Sequence, residues 1–320
     1  MGFRRRNFSG RGNSVGCTKS GILRLQLTNL GEFMRTAVCF FLMAASLQAA
    51  EPVALNPQQT VLMDRDHGRL ILRGTVCLRE GLLEMFLCKK QTKEHESIVT
   101  LDADASIIHA GLLALGAQPG SPVRFRPEFK PPTGQKIDII VHWQAADGTM
   151  QKAKAQDWIR QATFRYFEAP LKKVPDGVVI DGGDGTLRYD ALNELLLWFG
   201  HMTEEKKQEL LTMSADEAYQ KAVKAMFDES QIRPMKADFV FAGSGFIVDD
   251  QGQRHYQAEG GTVICVANFG DAMIDINVES SNRDDQGRSY EPYRERVPEV
   301  GTPVEVHLIP QLNTEPSSGK

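Results

Sequence analysis

Residues 76–97 read VCLREGLLEMFLCKKQTKEHES, two apolar arms around a turn, and this stretch constrains the fold more than any other. Leu70, Leu72, Val76 and Leu78 share one face of an alternating run, the pattern of a half-buried strand. Arg79-Glu80-Gly81 supplies a turn, and residues 82–88 form a second apolar arm. A three-residue connection containing Gly predicts an antiparallel hairpin. Residues 97–101 predict a third strand. Asp104 is placed to cap a helix over 105–115, where Ile108, Leu112 and Leu115 have helical spacing, and Gly116 suits the residue just past its end.

The β pattern returns after a loop at 119–132 that holds five prolines. Ile137, Ile139, Val141 and Trp143 alternate, and Asp147-Gly148 turns the chain into a partner arm over 150–158. Strands are predicted again at 239–248, 254–259, 262–267 and 304–309. Between the two β regions the pattern changes. Leu192, Leu195, Leu196 and Phe199 predict a helix opened by Asp190 and closed by Gly200. Residues 204–211 predict a second, charged helix. Ser214 and Glu217 form a capping box for a third, with Ala218, Ala222, Ala225 and Met226 on its apolar side. The expectation is an α+β fold: an antiparallel β-rich core, 55–165 and 236–310, with one core helix and a three-helix insertion over 172–233. Residues 311–320 are expected to be a disordered tail.

Charge divides the chain. Seven of its 37 Lys and Arg and one of its 41 acids lie in residues 1–50, which leaves 30 basic and 40 acidic groups, a net of −10, in the rest. An acidic body does not suit a phosphate backbone, so no nucleic-acid partner is expected. Residues 34–50 read MRTAVCFFLMAASLQAA: a basic residue, an apolar run of about a dozen residues and small residues after it. That is the layout of a signal peptide, and the run is shorter than the roughly 20 residues of a membrane span. Secretion or delivery to a periplasm is expected, with no integral membrane anchor once the signal is removed. Residues 1–33 do not fit in front of such a signal, so the start is expected at Met34, with 1–33 a mis-called upstream extension.

The strings KEHESIVTLDADASIIHAGLLALGA, KIDIIVHW and AQDWI, followed later by DFVFAGSGF, YQAEGGTVICVANFGDAMIDI and GTPVEVHL, resemble the YdjY-like domain. Apart from the insertion, the resemblance runs over most of residues 70–310. It implies an exported bacterial domain, common in planctomycetes, of unknown activity. Some members carry a ferredoxin-type label. This chain departs from that label, because it has no CxxC run and a cluster normally needs four Cys ligands. Only Cys77, Cys88 and Cys265 would survive removal of the signal.

Four groups of residues invite chemistry. His95, Glu96 and His109 are candidate metal ligands, with Cys88 or Cys265 as a soft fourth. No pair among them has zinc-ligand spacing, and His95-Glu96 is not part of an HExxH motif. A solvated strand start for His95 and Glu96, and a helix rim for His109, explain them as well. Gly243, Ser244 and Gly245 interrupt a strand and could bring backbone N–H groups to a ligand. A glycine-permitted bulge accounts for the same residues, and the sequence lacks the GxSxG elbow of a serine nucleophile. Asp181-Gly182-Gly183-Asp184-Gly185 lacks calcium ligands at the first, third and twelfth loop positions, so a turn is expected there. Cys77 and Cys88 could be redox-active or simply buried. In the hairpin register they lie about five strand positions apart, on the order of 17 Å, on opposite faces. A disulfide needs Cα atoms within about 7 Å, so they are not expected to bond to each other, and any disulfide would join one of them to Cys265.

These observations point to a non-catalytic module that binds a small ligand or a protein outside the cytoplasm. The alternative is a redox- or metal-linked accessory protein using His95, Glu96 and the cysteines. No cofactor is expected, neither metal nor iron–sulfur cluster. No hydrolase triad can be assembled from the sequence.

Overall fold

The computed structural model describes residues 51–180, 186–278 and 289–312. The start at Met34, the segments 1–33 and 34–50, the turn at 181–185 and the tail from 313 lie outside the described residues.

Eight strands close into a barrel. In chain order they are β1 (Arg69–Val76), β2 (Met85–Lys89), β3 (Ser97–Leu101), β4 (Lys136–Gln144), β5 (Phe239–Phe241), β6 (Ile264–Cys265), β7 (Ile274–Ile276) and β8 (Pro303–Pro310). Around the wall the order is β1-β8-β4-β5-β7-β6-β2-β3, and β3 returns to β1 through Thr75↔Thr100 and Val76↔Val99. Closure satisfies backbone groups that an open sheet leaves at its edges. The edge of β1 switches partner along its length, from Val61–Asp64 opposite residues 69–72 to β3 opposite 75–76. Gly74 sits at the switch. A Cβ there would meet the Thr100 carbonyl oxygen at 2.7 Å and a Val99 methyl at 2.8 Å, so only glycine lets the strands approach.

The alternation read in the sequence fills the core: Leu70, Leu72, Ile137, Ile139, Val141, Val306 and Leu308 are all buried in one cluster. Helix α1 (Ala105–Ala114) packs on β1 and on Val61–Asp64, with Ala105, Ile108 and Leu112 buried. Gly116 ends it with a φ of 90°. Asp104 stands at the cap position, but its carboxylate takes the Lys89 ammonium at 2.8 Å instead of a backbone N–H.

Two expectations fail, and with them the α+β fold class. First, β1 and β2 are not a hairpin. β2 runs parallel to β3, with Leu87 opposite Val99 and Cys88 opposite Thr100, and β3 lies between β2 and β1. β6 and β7 are parallel as well. The fold is a mostly β closed barrel, not an antiparallel sheet with helices added. The apolar arms expected at 70–78 and 82–88 hold the strands Arg69–Val76 and Met85–Lys89, but an apolar pattern does not name a strand's partner.

Second, the insertion is not three helices. Residues 195–199 form a strand whose pattern alternates, with Leu196 and Trp198 buried. It pairs with both Tyr166–Pro170 and Leu187–Asp190. Leu192, expected on the helix's apolar face, is 90% exposed in the turn. Asp190 does not open a helix. Its carboxylate accepts the amides of Leu192 and Asn193 and so builds the hairpin turn. Helices α2 (Glu204–Thr212) and α3 (Glu217–Glu229) complete the insertion. The cap of α3 is Asp216, which accepts the Tyr219 amide, rather than Ser214. This sheet and these helices share a second core, built on Phe167, Leu196, Trp198, Tyr219, Val223 and Met226, separate from the barrel core. The chain enters and leaves the insertion side by side, where the Gln161 amide donates to the Arg233 carbonyl at 2.8 Å.

Candidate functional site

The parallel register places two cysteines on either side of β3. Cys77 follows β1 and donates its amide to Ile98 of β3 at 2.8 Å, while Cys88 sits in β2 on the other side of β3. The Cys77 Sγ donates to the Ser97 carbonyl oxygen at 3.0 Å. The Cys88 side chain raises the Cys77 thiol, and burial raises it further. Cys77 in turn pulls Cys88 down to about 7 against the opposing pull of burial, helped by Ser97 and the Lys93 amide. Cys265 Sγ touches Met85 Sδ at 3.3 Å in a small core with Cys88 and Ala272. Burial raises its thiol well above the ordinary range. All three cysteines are free thiols.

His95 and Glu96 lie on the turn Glu94–Glu96 before β3. The His95 side chain is 75% exposed and 3.8 Å from Glu96. Glu96 belongs to an ionic chain in which Lys93 Nζ sits 2.7 Å from Glu96 and 3.0 Å from Glu84. Partial burial works to raise the Glu96 carboxyl, but the Lys93 ammonium outweighs it and holds it low. Among the described residues, no three His, Cys, Asp or Glu side chains converge to hold a metal ion.

His109 is elsewhere, on α1, and meets the Gly243–Gly245 break. Its Nδ1 is 2.8 Å from Tyr256 Oη, which in turn donates to the Gly243 carbonyl at 3.1 Å. Burial lowers the His109 imidazole and raises the Tyr256 phenol. Gly243 and Ser244 have φ of 89° and 56°, and their amides donate to Met273 and Ala272. The Ser244 hydroxyl donates to the Asp271 carbonyl at 2.6 Å. The strand break is therefore a packed joint between the barrel wall and the hairpin of Phe246–Val248 and Arg254–Tyr256. Tyr256, which links the two expected groups, carries no local signal in the sequence.

A large open space borders the second core. A cleft of about 750 Å³ is walled by Ala218, Ala222 and Ala225 of α3 and by Leu171 and Leu195, with Lys172, Lys173 and Lys221 at its rim. The sequence shows the alanines at helical spacing. It does not show that they face a gap, because the opposing wall is the strand misread as a helix.

The family model of the YdjY domain matches residues 61–169. The chain carries a YdjY domain. The match begins in the strand that flanks β1 and ends in the first strand of the insertion, so the YdjY range holds β1 to β4. The later strings that resemble the family, on β5 to β8, lie beyond it. No curated relative and no solved structure matches the chain. The YdjY range contains His95, Glu96, Cys77, Cys88 and His109. Most of the cleft lining, Cys265 and the Gly243–Gly245 joint lie outside it.

Proposed function

We propose that this chain is an exported, non-catalytic binding module whose ligand occupies the cleft of the insertion. The observation that carries the reading is the cleft itself, about 750 Å³ with an alanine wall and a lysine rim. Small-molecule sites are concave, mostly apolar and of about 300–1,000 Å³, with a few polar groups that orient the ligand. Three ammonium groups face two carboxylates at this rim, Glu194 and Asp216, and Asp216 already accepts the Tyr219 amide. The balance favours a ligand with an apolar body and one anionic head. The basic, then apolar, then small-residue order of residues 34–50 supports export. The non-catalytic reading is supported by how the polar groups are committed: the Ser244 hydroxyl to a carbonyl, and His109 to a buried phenol.

Titration calorimetry of the full chain with dodecanoate tests the ligand class. Binding is expected, with loss in Ala218→Trp, which fills the cleft from an exposed position, and weakening in Lys221→Glu. Undiminished binding by Ala218→Trp would remove the cleft from the reading. Export is checked by sequencing the N-terminus of the protein from its host. A mature start upstream of Met34 contradicts it.

A further inference from the structure

The strands Phe246–Val248 and Arg254–Tyr256 form a two-stranded sheet of their own, off the barrel wall. A sheet of two strands is marginal in water, and a third strand or more is usual where one persists. Phe246, Ile247 and Val248 are 54%, 54% and 63% exposed, so both faces of this strand show apolar side chains to solvent. The Gly245 carbonyl accepts the Gln257 amide and the Asp249 amide donates to the Gln253 carbonyl, both at 3.0 Å. Hydrogen-bonded pairs alternate along an antiparallel ladder, so Ile247 turns its backbone groups inward while Phe246 and Val248 turn theirs to the outer edge. Among the described residues no strand pairs with that edge. Natural edges are guarded by lysines, prolines or bulges. The edge strand Met150–Lys154 carries Lys152 and Lys154, whereas Phe246–Val248 carries no charge and no proline.

An apolar edge with outward amides and carbonyls fits another apolar strand, and this strand fits itself. Antiparallel pairing about a twofold axis at Ile247 sets Phe246 of each copy opposite Val248 of the other and joins their outward amides and carbonyls. Asp249 then falls opposite Gly245, and Asp250 opposite Ser244, so no carboxylate meets another although the body of the chain is acidic. The Asp249 carboxylate is already held by His255 at 2.7 Å and by the amides of Gln251 and Gln253. An axis at Phe246 would set Val248 against Ser244, and one at Val248 would set Phe246 against Asp250, so the axis at Ile247 alone matches apolar to apolar. We propose that two copies of this chain pair through their Phe246–Val248 edges into one continuous sheet with twofold symmetry. The surface is independent of the cleft in the insertion.

The test is sedimentation of the full chain, never unfolded, over a range of concentrations, together with mild oxidation of cysteine variants. A reversible dimer is expected. Ile247→Lys should raise its dissociation constant by about tenfold or more, because like charges then meet at the axis. Ile247 is exposed, so the fold tolerates the change. Facing Cα atoms at the axis lie about 4.5 Å apart, within reach of a disulfide, so Ile247→Cys should give a covalent dimer whose non-reducing peptide map joins position 247 of two chains. The two positions 246 are offset by two residues, about 8 Å apart, and Phe246→Cys should not link to itself. A chain that stays monomeric with no link at 247 overturns the pairing, as does a dimer that Ile247→Lys leaves intact or a Phe246→Cys link that forms as readily as the one at 247.

Discussion

At the residue scale, two buried groups act on stability in opposite directions. Asp275 on β7 is fully buried. Burial pushes its carboxyl up to about 7, although Ile276 and Asn268 donate to one oxygen. Its other oxygen has no hydrogen-bond partner. His307 on β8 is pushed down to about 4, first by burial and then by His142, stacked on it at 4.1 Å, and by Arg69. Between pH 4 and 6.5 the unfolded chain protonates the histidine and the folded chain does not, so this group makes stability rise with pH. Between about pH 4 and 7 the folded chain protonates Asp275 and the unfolded chain does not, so this group makes stability fall. Each contributes a slope of about 1.4 kcal/mol per pH unit where one proton is at stake, and over the shared range they offset each other. Asp275→Asn should remove one side of the balance. Its melting temperature should climb from pH 4 to 6.5 more steeply than that of the unmodified chain, and a profile as flat as the parent's would contradict the assignment. None of this could be read in the sequence. Asp275 lies in an apolar run, and His307 alternates with Glu305 as any exposed residue would. Which side of the wall a short strand shows to the core depends on its neighbours.

At the element scale, the sequence is legible wherever the element makes its own pattern. The strand at 69–76, the turn at Asp147-Gly148, the helix at 105–114 and its Gly116 end all follow from local spacing. What fails is the choice of partner. Leu82 to Cys88 is equally apolar whether it folds back on β1 or lies parallel to β3, and the loop through Lys93 that makes the second arrangement possible looks like a polar surface segment. Leu192, Leu195, Leu196 and Phe199 fit a helical face by spacing. The same run also reads as a short strand of five residues, and the Asp190 turn tips it that way. The seam between β1 and β3 depends on one element of this kind, the glycine at the switch of partners. Gly74→Ala sets a methyl against the Thr100 carbonyl, which strand pairing holds in place. A loss on the order of 1–3 kcal/mol, the usual cost of overpacking, is expected in urea unfolding. An unchanged midpoint would mean that the seam is loose enough to yield.

At the scale of the whole molecule, the barrel is assembled out of sequence order. The YdjY range supplies β1 to β4, but β4 touches none of the other three in the wall. β8 stands between β1 and β4, paired with β1 from Leu70 to Thr75 and with β4 from Ile137 to Trp143. The matched range alone is thus two separate pieces of wall. The later strings that resemble the family make sense as the strands that join them. A chain ending at residue 300 should fail to melt cooperatively even though it contains the whole YdjY range. A synthetic peptide of residues 301–312 added to it should restore the transition, and cooperative melting without the peptide would show that the ring closes by other means. A wall completed by one strand, flanked on both sides by strands from far earlier in the chain, leaves a slot that the strand's identity fills and its covalent attachment does not. Two copies unfolded together can each lend that strand to the other with every hydrogen bond of the slot preserved. Crowded refolding of this protein therefore favours reciprocal strand exchange, with dimers that match the monomer in every local contact and differ only in which chain supplies the final stave.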